Sequence, residues 1–298
     1  MADQHNANVP AVGNTIAADI PDIKENLEWH KDLLQMILGW KDSTIGTVGP
    51  PNHRSKFRWK DADEIYIGPG SYFHDGTTRQ TVFWDAELTF QLGSGGSNAG
   101  SDDVDAGAVA WHYIYLDDSA IVTNASPELD ETCFLNTDVT APTWSDAKHG
   151  WYNGNDRCIF AVLQSAGDAV IEFYHDGGDY VVFADKIEER AETDLDDTFT
   201  DVDCASSVPG FCTRFVVSGL LEARTTDASV IAYWRTNGQT GASGHQLVAG
   251  ERIGTDQYFG YTCEVISDTS QIIEVKMSRS DADELSMNVE GWFFPTGM

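Results

Sequence analysis

From residue 61 to its end the chain is a succession of short β-branched and aromatic runs, each cut off by a cluster of Gly, Asp, Asn or Ser. Apolar residues two apart mark strands, and the clusters supply turns. No sustained 3.6-residue periodicity interrupts this pattern, so antiparallel sandwiches are expected rather than a parallel sheet wound with helices. Runs at 64–67, 80–90, 108–116, 158–164, 169–174 and 179–183 read as strands of a central β domain, 61–187. Runs at 213–221, 229–236, 258–265, 271–278 and 285–294 read as a C-terminal β-sandwich, 188–298, with turns at Asn237-Gly238 and Ser243-Gly244. The junction is placed in 188–203, which is strongly acidic and poor in apolar residues. In the run at 108–116, Ala110, His112, Ile114 and Leu116 alternate with Trp111, Tyr113 and Tyr115, so that strand is expected to be covered on both faces.

The front of the chain has a different character. Residues 1–14 are polar and aperiodic, which suits a flexible arm. Over 15–39, Ile20, Ile23, Leu27, Leu34 and Ile37 fall on alternating three- and four-residue steps, with His30 on the one step that breaks the apolar seam. Asp19 and Pro21 suit a helix start, and Gly39 suits its end. Placing Ile20, Leu27 and Leu34 at heptad position a puts Ile23, His30 and Ile37 at d. Leu at a with Ile at d shifts preference toward three or four strands, so the chain is expected to self-associate through this helix. A linker, 40–60, follows and carries Gly46, Gly49, Pro50 and Pro51.

Eighteen Lys and Arg face 48 Asp and Glu, a formal charge of −30. Such a surface repels nucleic acid and anionic membranes, and neither is expected as a partner. In concentrated salt the charges are screened within about 3 Å, so the composition suits a protein that works in brine. No stretch reaches 18 uninterrupted apolar residues, and the first residues have neither a basic nor an apolar leader segment. Cys133, Cys158, Cys204, Cys212 and Cys263 lack metal-site spacing and read as buried thiols, although Cys204 and Cys212 are near enough in sequence to close a small disulfide.

No nucleophile elbow, P-loop, H-E-x-x-H or dinucleotide-binding fingerprint occurs, and the glycines at 68–70 and 93–96 open no helix. No enzymatic activity, cofactor or metal is therefore expected, and the acidic runs at 102–105 and 194–203 read as solvated loops rather than calcium sites. The stretch TWSDAKHGWYNGNDR is the most unusual of the chain. Trp144, Trp151 and Tyr152 offer aromatic faces beside His149 and Asn153, a set of groups that suits a saccharide-binding or receptor-binding loop.

These residues also carry a resemblance. TIAADIPDIKENLEWHKD resembles the start of tailed-phage fibre and neck proteins, in which an A-D-I/M-P-D-I-K/R-E-N helix begins a short trimerising stem. IYIGPGSYFHDGTTRQTVFWD, HYIYLDD, AKHGWYNGNDRCIFAV and FYHDGGDYVVF are similar to β-rich modules of phage structural proteins. TRFVVSGLLEA, DQYFGYTCEVISDTSQIIEVKMS and VEGWFFP resemble the jelly-roll-like heads of trimeric virion fibres. The resemblance implies a virion structural protein of a tailed virus: a homotrimeric fibre, spike or turret held to other virion proteins by its N-terminal region and facing a host-surface glycan or protein. The acidity then points to a halophilic or marine host. A polysaccharide-degrading tailspike enzyme and a purely architectural decoration protein are the alternatives.

Overall fold

The computed structural model describes residues 54–92, 109–124, 126–137, 140–224, 229–252, 254, 256–279 and 283–298. The heptad residues Ile20, Ile23, Leu27, His30, Leu34 and Ile37, and the acidic run 102–105, lie outside them. The described chain is mainly β, as the residue pattern requires.

In the first half, β1 (Phe57–Trp59), β2 (Glu64–Ile67), the hairpin strands β3 (Gly70–Asp75) and β4 (Arg79–Trp84), and β5 (Leu88–Gln91) precede β6 (Ala110–Leu116). A short helix, α1 (Asp118–Asn124), then leads to β7 (Phe134–Thr137), β8 (Thr143–Ser145), β9 (Gly150–Asn153), β10 (Asp156–Ser165) and β11 (Ala169–Val170). One sheet has the order β1-β2-β5 and a larger one β7-β6-β10-β9-β8, with β11 on β10. Strands β6 and β10 form the middle of the larger sheet and are buried along nearly their whole length, so both faces of β6 are covered as expected.

The second half contains β12 (Phe173–His175), β13 (Tyr180–Asp194), β14 (Thr200–Asp203), β15 (Arg214–Ala223), β16 (Ser229–Thr236), β17 (His245–Glu251), β18 (Gln257–Ile266), β19 (Ile272–Met277) and β20 (Glu284–Phe293). From β13 onward the pairings nest: first with last, β14 with β19, β15 with β18, and β16 with β17. The pairs β15·β20 and β16·β19 close two sheets, β13-β20-β15-β18 and β14-β19-β16-β17. This nested antiparallel order is that of a jelly roll. Period-two burial builds its core. On β20, Leu285, Met287 and Val289 are buried while Glu284, Ser286, Asn288 and Glu290 are partly exposed. Gly291 follows a bulge in that strand, and a Cβ there would stand 2.1 Å from the Val181 carbonyl oxygen, so only glycine fits.

Several expectations are corrected. The junction expected at 187/188 falls inside β13, whose two ends both pair with β20, Val181 with Trp292 and Asp194 with Glu284. Three register shifts break that strand's alternation and most of its later residues face water, so it carries little apolar signal. The jelly roll therefore begins at 180. The last part of the expected linker is β1, the run at 80–90 is two strands, and that at 169–174 divides between β11 and β12. Helix α1 is a further departure: Asp117 caps it by accepting from the N–H groups of Ser119 and Ala120, 2.8 and 3.2 Å, but seven residues are too few to show a period. All five cysteines are free thiols, four of them buried. Cys212 Sγ lies 3.1 and 3.2 Å from the carbonyls of Arg214 and Phe293 rather than on Cys204, and burial pushes its pKa up to about 11.

The two halves share one hydrophobic core. Phe57 of β1 stacks on Phe160 of β10 at 4.1 Å. Phe160 and Trp111 of β6 in turn meet Trp292 of β20, at 5.8 and 6.3 Å. The loop from β14 to β15 reinforces the join, with the Trp111 indole donating to Ala205 and the Gly210 N–H donating to the Tyr113 hydroxyl.

Candidate functional site

The expected receptor loop is a hairpin of β8 and β9 in which Trp144 and Trp151 are directly paired. Their rings meet edge to face at 5.9 Å, so they present no flat shelf. Trp144 is 40% exposed and its indole N–H donates to Asp146, 2.7 Å. The Trp151 indole donates to the Thr296 carbonyl, 3.1 Å, and a Cβ on Gly297 would lie 2.4 Å from the Trp144 ring, so the pair holds the C-terminal tail. Tyr152 corrects the expectation: neighbours on a strand point to opposite faces, and its ring is buried, with the hydroxyl accepting from the Asp75 N–H. His149 is exposed at the turn with φ of 51°, and Asn153 is half-buried beside β10.

A buried polar network lies beneath this hairpin. The His74 Nε2–H donates to Asp118 Oδ1, 3.0 Å, in a pair withdrawn from solvent. Asp118 also accepts from the Thr77 N–H, 2.8 Å, the Thr77 hydroxyl, 2.6 Å, and the Asn155 amide, 3.3 Å. In a triad of the Ser-His-Asp type the nucleophile's hydroxyl sits on the imidazole. Here the Thr77 hydroxyl is on the carboxylate, so the network is a fastening between the β3–β4 turn and α1.

The structure adds a site that the sequence reading passed over. In R-S-K-F-R-W-K, residues 54–60, four of the chain's 18 cations stand two apart in and beside β1. Period two puts Arg54, Lys56, Arg58 and Lys60 on the face opposite the buried Ser55 and Phe57. Arg54 pairs with Asp179 and Arg58 with Glu87, each at 2.5 Å, and Lys60 pairs with Glu64. Lys56 has no ion-pair partner among the described residues. It lines a cleft of about 580 Å³ between β1 and β12–β13, together with Arg58, Trp59, Glu172, Tyr174 and Tyr180.

The cleft is held by His175. The Phe57 N–H donates to its Nδ1, 3.1 Å, so the neutral ring carries its proton on Nε2 and donates to the Gly178 carbonyl, 3.0 Å. Burial lowers the pKa of His175 and of His74, in the latter against the upward pull of Asp118. Each pKa is below its unfolded value, so as the pH falls the unfolded chain takes up protons first. Stability from these groups is therefore full above about pH 6.5 and declines below it. The thermal midpoint is expected to hold between pH 8 and 7 and to fall between pH 6.5 and 5. Scanning calorimetry across that range checks this, and a flat midpoint would contradict it.

Glu192, Glu222 and Glu284 bring carboxylate oxygens within 4.8 Å of one another on β13, β15 and β20. The Arg224 guanidinium already bridges Glu222 and Glu284, and the Tyr258 hydroxyl donates to Glu222, 2.9 Å, so two of the three carboxylates are tied to partners of this chain.

No protein-family model matches the chain, and no curated protein matches it. Among solved structures it is similar to the infectious bursal disease virus VP2 subviral particle, with 8% identity over 89% of this chain and 77% of that chain and a TM-score of 0.19. It is also similar to the infectious bursal disease virus Gx strain structure, with 11% identity over 88% and 76% and a TM-score of 0.15. Likenesses of that size carry no argument about this chain.

Proposed function

We propose that the chain is a virion structural protein, a homotrimeric fibre, spike or turret component held to the particle by its N-terminal region, with the jelly roll as its outward head. It works by assembly and display rather than turnover, is not an enzyme, and faces a host surface in a saline environment. The observation that carries this reading is the nested strand order from β13 to β20, an architecture used for capsid and lectin domains. Fold alone does not assign function, so the apolar heptad ahead of the body is the second support. Three copies joined there would sum weak contacts by effective concentration.

Light scattering on the full chain is the test. A mass three times 32.7 kDa is expected, and the double variant Leu27→Asp, Leu34→Asp, with two charges at position a, is expected to run as one copy with unchanged β signal in circular dichroism. A single-copy mass for the unaltered chain, or a trimer that survives both substitutions, sinks the stem.

A further inference from the structure

We infer that the cleft between β1 and β12–β13 is a saccharide-binding site that seats a neutral sugar ring against Tyr174, with Lys56 as a hydrogen-bond donor. As the identity of the host contact this rests on the function proposed above, while its chemistry rests on the cleft alone.

The lining has the three kinds of group that a sugar ring requires. Tyr174 and Tyr180 offer aromatic faces for C–H surfaces, Lys56 offers donors, and Glu172 and Asp176 offer acceptors. Its volume of about 580 Å³ lies within the range of small-ligand sites. Tyr174 is 59% exposed, yet its hydroxyl is tied to Glu172 Oε1 at 2.8 Å, so an uncovered ring is held in one orientation. A rigid aromatic loses little conformational freedom when a ligand covers it.

Lys56 supplies the second argument. Its three neighbours in the basic run are each bound to a carboxylate, while Lys56, which lines the cleft, is not. With no salt bridge among the described residues, its ammonium leaves three donors for a ligand. The walls are fixed by the two His175 hydrogen bonds and by the Trp59 indole, which donates to the Val170 carbonyl at 3.0 Å. Charge decides between sugar classes. Glu172 and Asp176 offset Lys56, while Arg58 is paired with Glu87, so an acidic sugar gains little locally and meets the repulsion of the whole chain.

The experiment is isothermal titration of the full chain with cellohexaose, laminarihexaose and mannohexaose, and with tetragalacturonate as the acidic comparison, at 0.15 M and 2 M NaCl. Saturable binding of at least one neutral hexasaccharide is expected, changing less than twofold between the two salts. Tyr174→Ala should weaken it at least tenfold and Lys56→Gln about threefold to tenfold, while Tyr258→Ala, an equally exposed tyrosine on β18, leaves it unchanged. No binding of any neutral sugar, binding of tetragalacturonate alone, or binding that survives Tyr174→Ala overturns the inference. A single-copy protein that binds sinks the stem and leaves the cleft standing, whereas a trimer that binds nothing does the reverse.

Discussion

Replacing Trp292 by alanine is expected to lower the unfolding free energy by about 3–5 kcal/mol and to move both halves of the chain together. Trp292 is 1% exposed at the end of β20, the strand between β13 and β15. Its ring touches Trp111 and Phe160 from the first half, and Phe211 and Phe294 from the second, with centroids 5.0–6.3 Å away. Truncation leaves a cavity on the seam between the halves, where neither can close it without moving the other. Urea unfolding at one protein concentration, followed by both far-ultraviolet circular dichroism and tryptophan fluorescence, checks this. The two probes should report one shared transition displaced to lower urea. Two separated transitions, one of them unmoved by the substitution, would mean that the halves fold as independent domains.

That shared core explains which parts of the fold were legible in the residues. Strand β16 could be read to its ends because Val230, Ala232 and Trp234 alternate on one face and Asn237-Gly238 turns the chain immediately after, with Gly238 at φ 80°. Strand β17 could not, since Val248 is its one buried side chain. An edge strand of a sandwich is fixed by its partner, and its own sequence need not alternate. The domain junction failed for the same reason: the acid-rich outer face of β13 looks like a linker until β20 is seen beside it. In the hairpin of β8 and β9 the relevant signal was present, because Trp151 and Tyr152 are adjacent and a strand cannot show both to one ligand. The cleft was legible too, in a basic alternation on a chain with so few cations. What hid it is that β12 arrives more than a hundred residues later to form the other wall.

The strongest polar prediction concerns Asp118, whose replacement by alanine is expected to cost about 3 kcal/mol, the scale of hydrogen bonds to a charged group plus a stranded buried donor. Thr77 is exposed and can turn to water, but His74 is fully buried and would lose the acceptor for its Nε2–H, while its Nδ1 already has no partner among the described residues. Gly76 shows how tight the site is, since a Cβ there would stand 1.9 Å from Asp118 Oδ1. The pH dependence separates loss of this carboxylate from general loosening. Burial pushes the Asp118 pKa up, but the bonds from Thr77 and His74 outweigh it and hold the carboxyl below its ordinary value. Its contribution is therefore present above about pH 3.9 and disappears as the pH falls further. Asp118 also pulls the His74 pKa upward against burial. In Asp118→Ala that pull is gone, the folded histidine resists protonation more strongly, and the unfolded chain gains more from each proton below pH 6.5. The fall in stability between pH 7 and pH 5 should thus be steeper in the variant than in the unaltered protein, measured by urea midpoints at each pH. A parallel or shallower fall would show that His74 does not depend on this carboxylate.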